Sequence, residues 1–507
     1  MKHISSLCLA GMLACGSLLM SHTTAQAEHP DRLVILHTND THSQIDPDSK
    51  GRGGVARRKV LVDSVRNAEP AAMLIDAGDA VQGTLFFSIF KGEVEDTLMN
   101  LLGYDIQILG NHEFDNSIDE LADRWRGLGA ECISTNYDLR ATPLDSVIKP
   151  YAIRDFGDKR VGFIGINLDP DGMIAANHSE GVVYLDPVEA TNATAWHLRH
   201  NERADYVVVV SHIGYSGRDL ANDLDLARRS KGVDVIIGGH SHTSIDPSQP
   251  DAPLHRVANA VGDTVLIAQN GKGGATLGEI TIDFNTGKIG SRLIPVDARL
   301  DSRTDGTVEN ILTPYRASID SICAIKLAKA SRELPHRSPE LVNLISDIVA
   351  AEGEALSGRK IDLAIMNKGG IRCGIPKGAV TRGNVMEMMP FDNRVVVMDI
   401  SGKDLLAAFD IMASQRGQGV SRSVAATYDP EARRCLSVTI GGEPIDPSAT
   451  YTLATIDYLA GGGDYLTPLT HGKVTHTDPR IAFDAISDWF RAHPKFSTDS
   501  KPRMVAE

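Results

Sequence analysis

Five short blocks in the first half of the chain each place Asp, Asn or His directly after a run of apolar residues. The run 33–36 is followed by His37, Thr38, Asn39, Asp40, Thr41 and His42, and the run 73–75 by Asp76, Ala77, Gly78 and Asp79. The run 106–109 leads into Gly110, Asn111, His112, Glu113, Phe114 and Asp115; the run 206–210 into Ser211 and His212; and the run 233–237 into Gly238, Gly239, His240, Ser241 and His242. Carboxylate, imidazole and amide donors without a thiolate suit a divalent transition metal, and the set is rich enough for two ions sharing one bridging carboxylate. Two such ions about 4 Å apart lower the pKa of a shared water toward neutrality, clamp phosphoryl oxygens and favour in-line displacement. Ester hydrolysis also needs charge neutralised on the leaving oxygen. His112 and Asp115, three residues apart, fit that need: the carboxylate orients and supports the imidazole, which donates toward the ester.

Singly, these residues have ordinary readings, with Asp40 as a helix cap, Asp79 and Asn111 as turn formers and His212 as a satisfied core histidine. Jointly, at the ends of five apolar runs, they do not. His37 and Asp76 lie beside the blocks and are read as structural.

The elements that must position these groups are short aliphatic runs separated by stretches with helical spacing, the pattern of a layered α/β domain. Strands are expected at 33–36, 73–75, 106–109, 161–166, 206–210, 233–237 and 265–268. In such folds ligands bind in the crevice outside the carboxyl ends of the strands. From Arg303 the texture changes, and Val308, Ile311, Leu312, Tyr315, Ile319 and Ile322 describe an amphipathic helix. This helix is read as a connector that permits relative rotation of two domains. Beyond it come an expected helix at 339–352, strands at 364–366 and 395–400, and glycine clusters at 369–370 and 461–463. The expected division is a signal peptide over 1–27, a metal-binding domain over 28–303, a linker helix over 304–322 and a second domain over 323–507.

With 507 residues the chain exceeds one ordinary core. Hydrophobic content of 42% and charged content of 23% describe a globular protein. A net charge of -15 without a basic run argues against a nucleic-acid polymer as partner. An anionic small substrate stays open, because a bound metal dominates its local field. Lys2, the apolar stretch 4–20 and Ala25-Gln26-Ala27 ahead of Glu28 have the layout of a secretory signal peptide, so the protein is expected to be exported, periplasmic or secreted. Attachment of lipid at Cys15 is the competing reading. No later segment approaches the ~20 apolar residues of a membrane span. Cys132, Cys323, Cys373 and Cys435 remain after cleavage, with no CxxC spacing; the compartment permits one or two disulfides.

The five blocks, D-x-H, G-D, G-N-H-E, S-H and G-H-x-H, closely resemble the metallophosphoesterase signature as arranged in the 5'-nucleotidase family. The resemblance implies an N-terminal calcineurin-like domain of four α/β/β/α layers, a helical linker and a C-terminal α/β substrate-binding domain. It implies that Asp40, His42, Asp79 and His242 hold one metal and Asp79, Asn111, His212 and His240 the other, with Asp79 as the bridge. Zinc or manganese is expected, with cobalt as a further candidate. It also assigns His112 and Asp115 as a catalytic dyad. Three stretches of the second half, 366–372, 389–393 and 457–464, match the family's nucleotide-binding domain. There Arg372 offers a planar fork to phosphate and Asn367 reaches phosphate or ribose oxygens. Phe391 and Tyr458 can stack on opposite faces of a base, and Asp464 can accept from ribose hydroxyls. Family members usually carry phenylalanine where Tyr458 stands and often asparagine where Gly461 stands; Arg337 is the candidate for an arginine usual near the start of this domain. The expected activity is hydrolysis of nucleoside 5'-monophosphates to nucleoside and phosphate by a metal-activated water. Alternatives on the same scaffold are 2',3'-cyclic-nucleotide 2'-phosphodiesterase with 3'-nucleotidase activity and UDP-sugar hydrolysis. A noncatalytic nucleotide-binding protein would have lost ligands, and none is missing here.

Overall fold

A computed structural model describes residues 30–217 and 221–507; the expected signal peptide and Cys15 lie outside the described residues. The first lobe is built on two six-stranded sheets. One runs in spatial order Ile289–Pro295, Thr276–Asp283, Arg32–Thr38, Met73–Asp76, Ile106–Gln107 and Glu131–Cys132. The other runs Arg256–Ala258, Thr264–Ala268, Val235–Ile237, Tyr206–His212, Lys159–Asn167 and Tyr151–Phe156. Alternation along each strand sorts its side chains between two cores. Leu33 and Ile35 meet Val208, Val210, Val235 and Ile237 between the sheets, whereas Val34 and Leu36 face the helices Val55–Ala68 and Glu93–Leu102 through Val62, Val94 and Leu98. On the far side Val207, Val209 and Ile236 face Ala195 and Leu198 of the helix Pro187–His200. The result is four layers, α/β/β/α, in which each fully buried aliphatic side chain contributes roughly 1.5–3 kcal/mol.

The inner strands of both sheets are parallel, so their carboxyl ends emerge on one side. Two expected strands differ in length. The one at 106–109 pairs only over Ile106–Gln107, because Ile108 and Leu109 are buried in the loop that follows. The one at 206–210 extends through His212, which therefore lies inside a strand and not beyond its end.

The linker helix spans Thr307–Cys323 and starts where Asp305 Oδ1 accepts from Thr307 N at 2.9 Å. Its face of Val308 and Leu312 is buried against the first lobe, with Ile311, Tyr315 and Ile319 alongside. Cys323 at its end packs against Gly383 of the second lobe, where an added Cβ would fall 2.5 Å from the sulfur. That lobe centres on the sheet Gly419–Val420, Leu363–Met366, Thr450–Ile456, Arg394–Ser401 and Lys473–Ile481. The helix Pro339–Ser357 buries Leu341, Ile345, Ile348 and Val349 against it. It outruns the expected 339–352 because Ala355 and Leu356 favour helix, and it stops at Gly358, whose φ of 64° suits a left-handed cap. Cys132, Cys323, Cys373 and Cys435 are free thiols, so the disulfides the compartment would permit are not formed. Among the described residues no helix is long and apolar enough to cross a membrane.

Candidate active site

The loops at the carboxyl ends of the strands carry an unusual backbone. Asp40, His42, Asp79, His240 and His242 all have positive φ, between 48° and 69°. Such angles strain residues with a Cβ and persist only where the surroundings over-determine them. Here the surroundings are hydrogen bonds between loops. Asp40 N and His42 N donate to Gly78 O and Asp79 O at 2.9 and 3.0 Å, and Ser43 N to Ala80 O at 3.0 Å. His240 N donates to both oxygens of Asp40, at 3.1 and 3.0 Å. Gly110 has no alternative, since a Cβ there would collide with Asp79 Oδ1.

Glu113 closes the G-N-H-E block, but its role is not evident from the sequence. Its Oε2 accepts from Asp79 N at 3.0 Å and Gly110 N at 2.6 Å, and its Oε1 from Ala80 N at 2.9 Å, so one buried carboxylate ties two loops together. Gln269 does the same for the fifth block, accepting from Thr243 N at 2.7 Å and donating to Gly239 O at 2.5 Å. Neither role has a sequence signal beyond a polar residue within or after a block. Asp76 is structural, as read: it accepts from Thr38 Oγ1, Gly78 N and Gln107 Nε2 at 2.5, 3.0 and 3.1 Å.

These loops bring the candidate ligands into two groups. Ligand atoms of Asp40, His42 and His242 lie within 4.8 Å of one another, as do those of Asp79, His212 and His240. Asp79 also groups with His42 and His112, which places it between the two. Asn111 Oδ1 is 3.1 Å from His240 Nδ1. The donor set fits two divalent ions on three observations. His42 Nε2 and His242 Nε2 point at each other across 2.9 Å, an arrangement two lone pairs tolerate only around a proton or a cation. Burial pushes the pKa of His42 down to about 3 and that of His240 to about 4, leaving both neutral and able to donate a lone pair. His212 gives its Nδ1 proton to Ala77 O at 2.6 Å, which turns Nε2 toward Asp79 Oδ2, 3.2 Å away.

His112 Nδ1 is 2.9 Å from Asp115 Oδ2. Burial disfavours its charge, but the carboxylates of Asp115 and Asp79 outweigh burial and raise its pKa to about 9. The Phe391 ring lies parallel to that imidazole at 6.2 Å, and Arg372 Cζ sits 5.7 Å from the Phe391 centroid.

A cavity of about 220 Å³ opens between the lobes. His112 and Asp115 line it from one side, and Asn367, Arg372, Phe391, Tyr458 and Asp464 from the other. Asp464, at a φ of 51°, receives Asn367 Nδ2 at 2.8 Å and Tyr458 OH at 3.1 Å. Gln82, fully buried in the loop after Asp79, accepts from Arg372 NH2 at 3.4 Å across the cleft. Arg337 is close enough for its charge to weaken the protonation of Arg372 and Lys368, whose pKa values burial lowers first.

Residues 33–244 match the calcineurin-like phosphoesterase family and residues 320–471 the 5'-nucleotidase C-terminal domain. The 5'-nucleotidase of Bos taurus is 27% identical over 92% of this chain and 88% of its own length. The trifunctional nucleotide phosphoesterase protein YfkN of Bacillus subtilis is 28% identical over 87% of this chain, which spans only 33% of that longer protein. Among solved structures, the 5'-nucleotidase precursor of Thermus thermophilus superposes with a TM-score of 0.79 at 30% identity, covering 94% of this chain and 99% of its own. Two matched domains in one order, and a structure alike from end to end, make this chain a member of the 5'-nucleotidase family and a phosphoric ester hydrolase of the metallophosphoesterase fold.

Proposed function

We propose that the protein hydrolyses nucleoside 5'-monophosphates to nucleoside and inorganic phosphate, outside the cytoplasm. The observation that carries this reading is the single cavity shared by His112 and Asp115 of one lobe and by Arg372, Phe391, Tyr458 and Asp464 of the other. Two divalent cations, zinc or manganese, held by Asp40, His42, Asp79 and His242 and by Asp79, Asn111, His212 and His240, would lower the pKa of a water and draw charge from phosphoryl oxygens. Arg372 binds the phosphate with its planar fork. Phe391 and Tyr458 hold the base between rings, and Asp464 and Asn367 take the ribose hydroxyls. His112 keeps Nδ1–H on Asp115, so Nε2 carries the proton that faces the ester oxygen of the departing nucleoside. Export is supported by the succession of Lys2, apolar residues and Ala25-Gln26-Ala27.

The test is phosphate release from AMP, UMP, a 2',3'-cyclic nucleotide and UDP-glucose, with and without chelator. We expect turnover of AMP and UMP, its loss with chelator, and a drop of about 10²–10⁴-fold in His112→Ala. Activity indifferent to chelation contradicts the mechanism, and turnover of the cyclic nucleotide alone replaces the substrate assignment. A chain recovered from the cytoplasm with Met1 and the apolar stretch 4–20 still attached removes the export reading; a mature N-terminus at Cys15 would replace only the cleavage site.

A further inference from the structure

The cavity has a wall that the proposed substrate contacts leave unused. The loop 169–181 of the first lobe crosses the cleft and lines it with Met173, Ile174 and Ala175, followed by Asn177 and His178 on a 3-10 turn, Ala176–His178. This loop is docked on the second lobe at the stacking residue itself. Gly172 O is 3.3 Å from Tyr458 OH. Gly172 has a φ of 74°, and a Cβ there would fall 2.8 Å from the Tyr465 ring, so only glycine permits the approach. His178 lies within electrostatic reach of Glu120 in its own lobe and of Asp457 across the cleft.

Resting on the proposed nucleotidase reading, we infer that this loop selects the nucleobase, with Asn177 and His178 as the groups that read its edge. Phe391 and Tyr458 offer π-faces, which every base satisfies. Arg372 and Asp464 address phosphate and ribose, which are common to all nucleotides. What distinguishes one base from another is its pattern of donors and acceptors. An amide and an imidazole supply both kinds, and a site that pairs polar groups rejects a mismatched edge far more strongly than an apolar wall does. Met173 and Ile174 set the depth of the slot, and the two polar side chains set its chemistry.

The experiment compares kcat/KM for AMP, GMP, CMP and UMP in the metal-loaded enzyme and in an Asn177→Ala, His178→Ala double variant, with competitive inhibition by inorganic phosphate as the control. Asn177→Asp is run beside them, because it exchanges an amide donor for an acceptor at constant shape. We expect the ratio of best to worst base to shrink at least tenfold in the double variant. In Asn177→Asp the order of bases should change, and phosphate inhibition should stay within twofold in both. Base ratios unchanged within twofold, a wild type indifferent to base, or a parallel loss of phosphate inhibition would each overturn the inference while leaving the nucleotidase assignment intact. Failure to hydrolyse any of the four nucleotides would instead remove the assignment on which it rests.

Discussion

The hydroxyl of Tyr458 has one proton and two acceptors, Asp464 Oδ1 at 3.1 Å and Gly172 O at 3.3 Å. A carboxylate draws the stronger hydrogen bond, so Asp464 takes the proton, and Asp464 N–H returns a bond to the same oxygen at 3.1 Å. The tyrosine therefore adds a tether that a phenylalanine lacks. Tyr458→Phe keeps the ring and leaves the carboxylate to Asn367. We expect kcat/KM for AMP to fall about five- to tenfold, on the order of 1 kcal/mol, and for the 2'-deoxy analogue to fall less. Steady-state kinetics on the pair check this; equal losses would mean that the hydroxyl supports the ring and not the ribose acceptor. At this scale the sequence was readable where chemistry is local. Asp40, Asp79, Asn111 and His240 announce themselves as polar residues ending apolar runs. Glu113, although part of the G-N-H-E block, and Gln269 do not show their roles, because a side chain that serves backbone N–H groups of another loop leaves no mark of that role in its own neighbourhood.

Among the elements, the helix Glu93–Leu102 places a carboxyl where its charge is disfavoured. Glu95 is 4% exposed, and burial raises its pKa to about 7, its two oxygens being without a hydrogen-bond partner among the described residues. Because the folded value lies above the unfolded one, stability linked to this proton is full below about pH 4.5 and is lost as pH rises through 7. Glu95→Gln removes the linkage. Thermal melts from pH 4 to pH 8 should therefore show the variant gaining on the wild type by about 2–3 kcal/mol over that interval; a constant difference would mean that Glu95 is not protonated in the fold. Seven of the twelve strands in the first lobe's two sheets showed in the sequence as aliphatic runs, whereas Glu131–Cys132, Tyr151–Phe156, Arg256–Ala258, Thr276–Asp283 and Ile289–Pro295 did not, because short length or charged residues break their apolar runs. The difference at 106–109 arose because Ile108 and Leu109 are buried without pairing, and hydrophobicity alone cannot separate a strand from a buried loop. The loop 169–181 was invisible for another reason: its contacts belong to Tyr458 and Tyr465, nearly three hundred residues away.

For the molecule as a whole, the cleft is a seam between two lobes joined by one helix that is itself packed on the first. Besides Gln82 and Arg372, the seam is held by Lys91, whose Nζ lies 2.8 and 2.7 Å from the two oxygens of Asp392, next in sequence to the cavity-lining Phe391. Both partners are about a third exposed, so the pair is worth at most about 1 kcal/mol, and reversing one charge adds repulsion of similar size. Lys91→Glu should raise KM for AMP about three- to tenfold with a smaller change in kcat, and adding Asp392→Lys should restore it. A kcat loss without a KM change, or no rescue, would show that the pair does not set the geometry of the cleft.

The unpaired sulfurs of Cys132, Cys323, Cys373 and Cys435 bear on how such an enzyme matures. Among the described residues no covalent crosslink has to be made, shuffled or proofread before the lobes can meet, so this part of the fold can be completed without an oxidant. The same architecture should survive dithiothreitol, and a copy made under reducing conditions should reach the same fold.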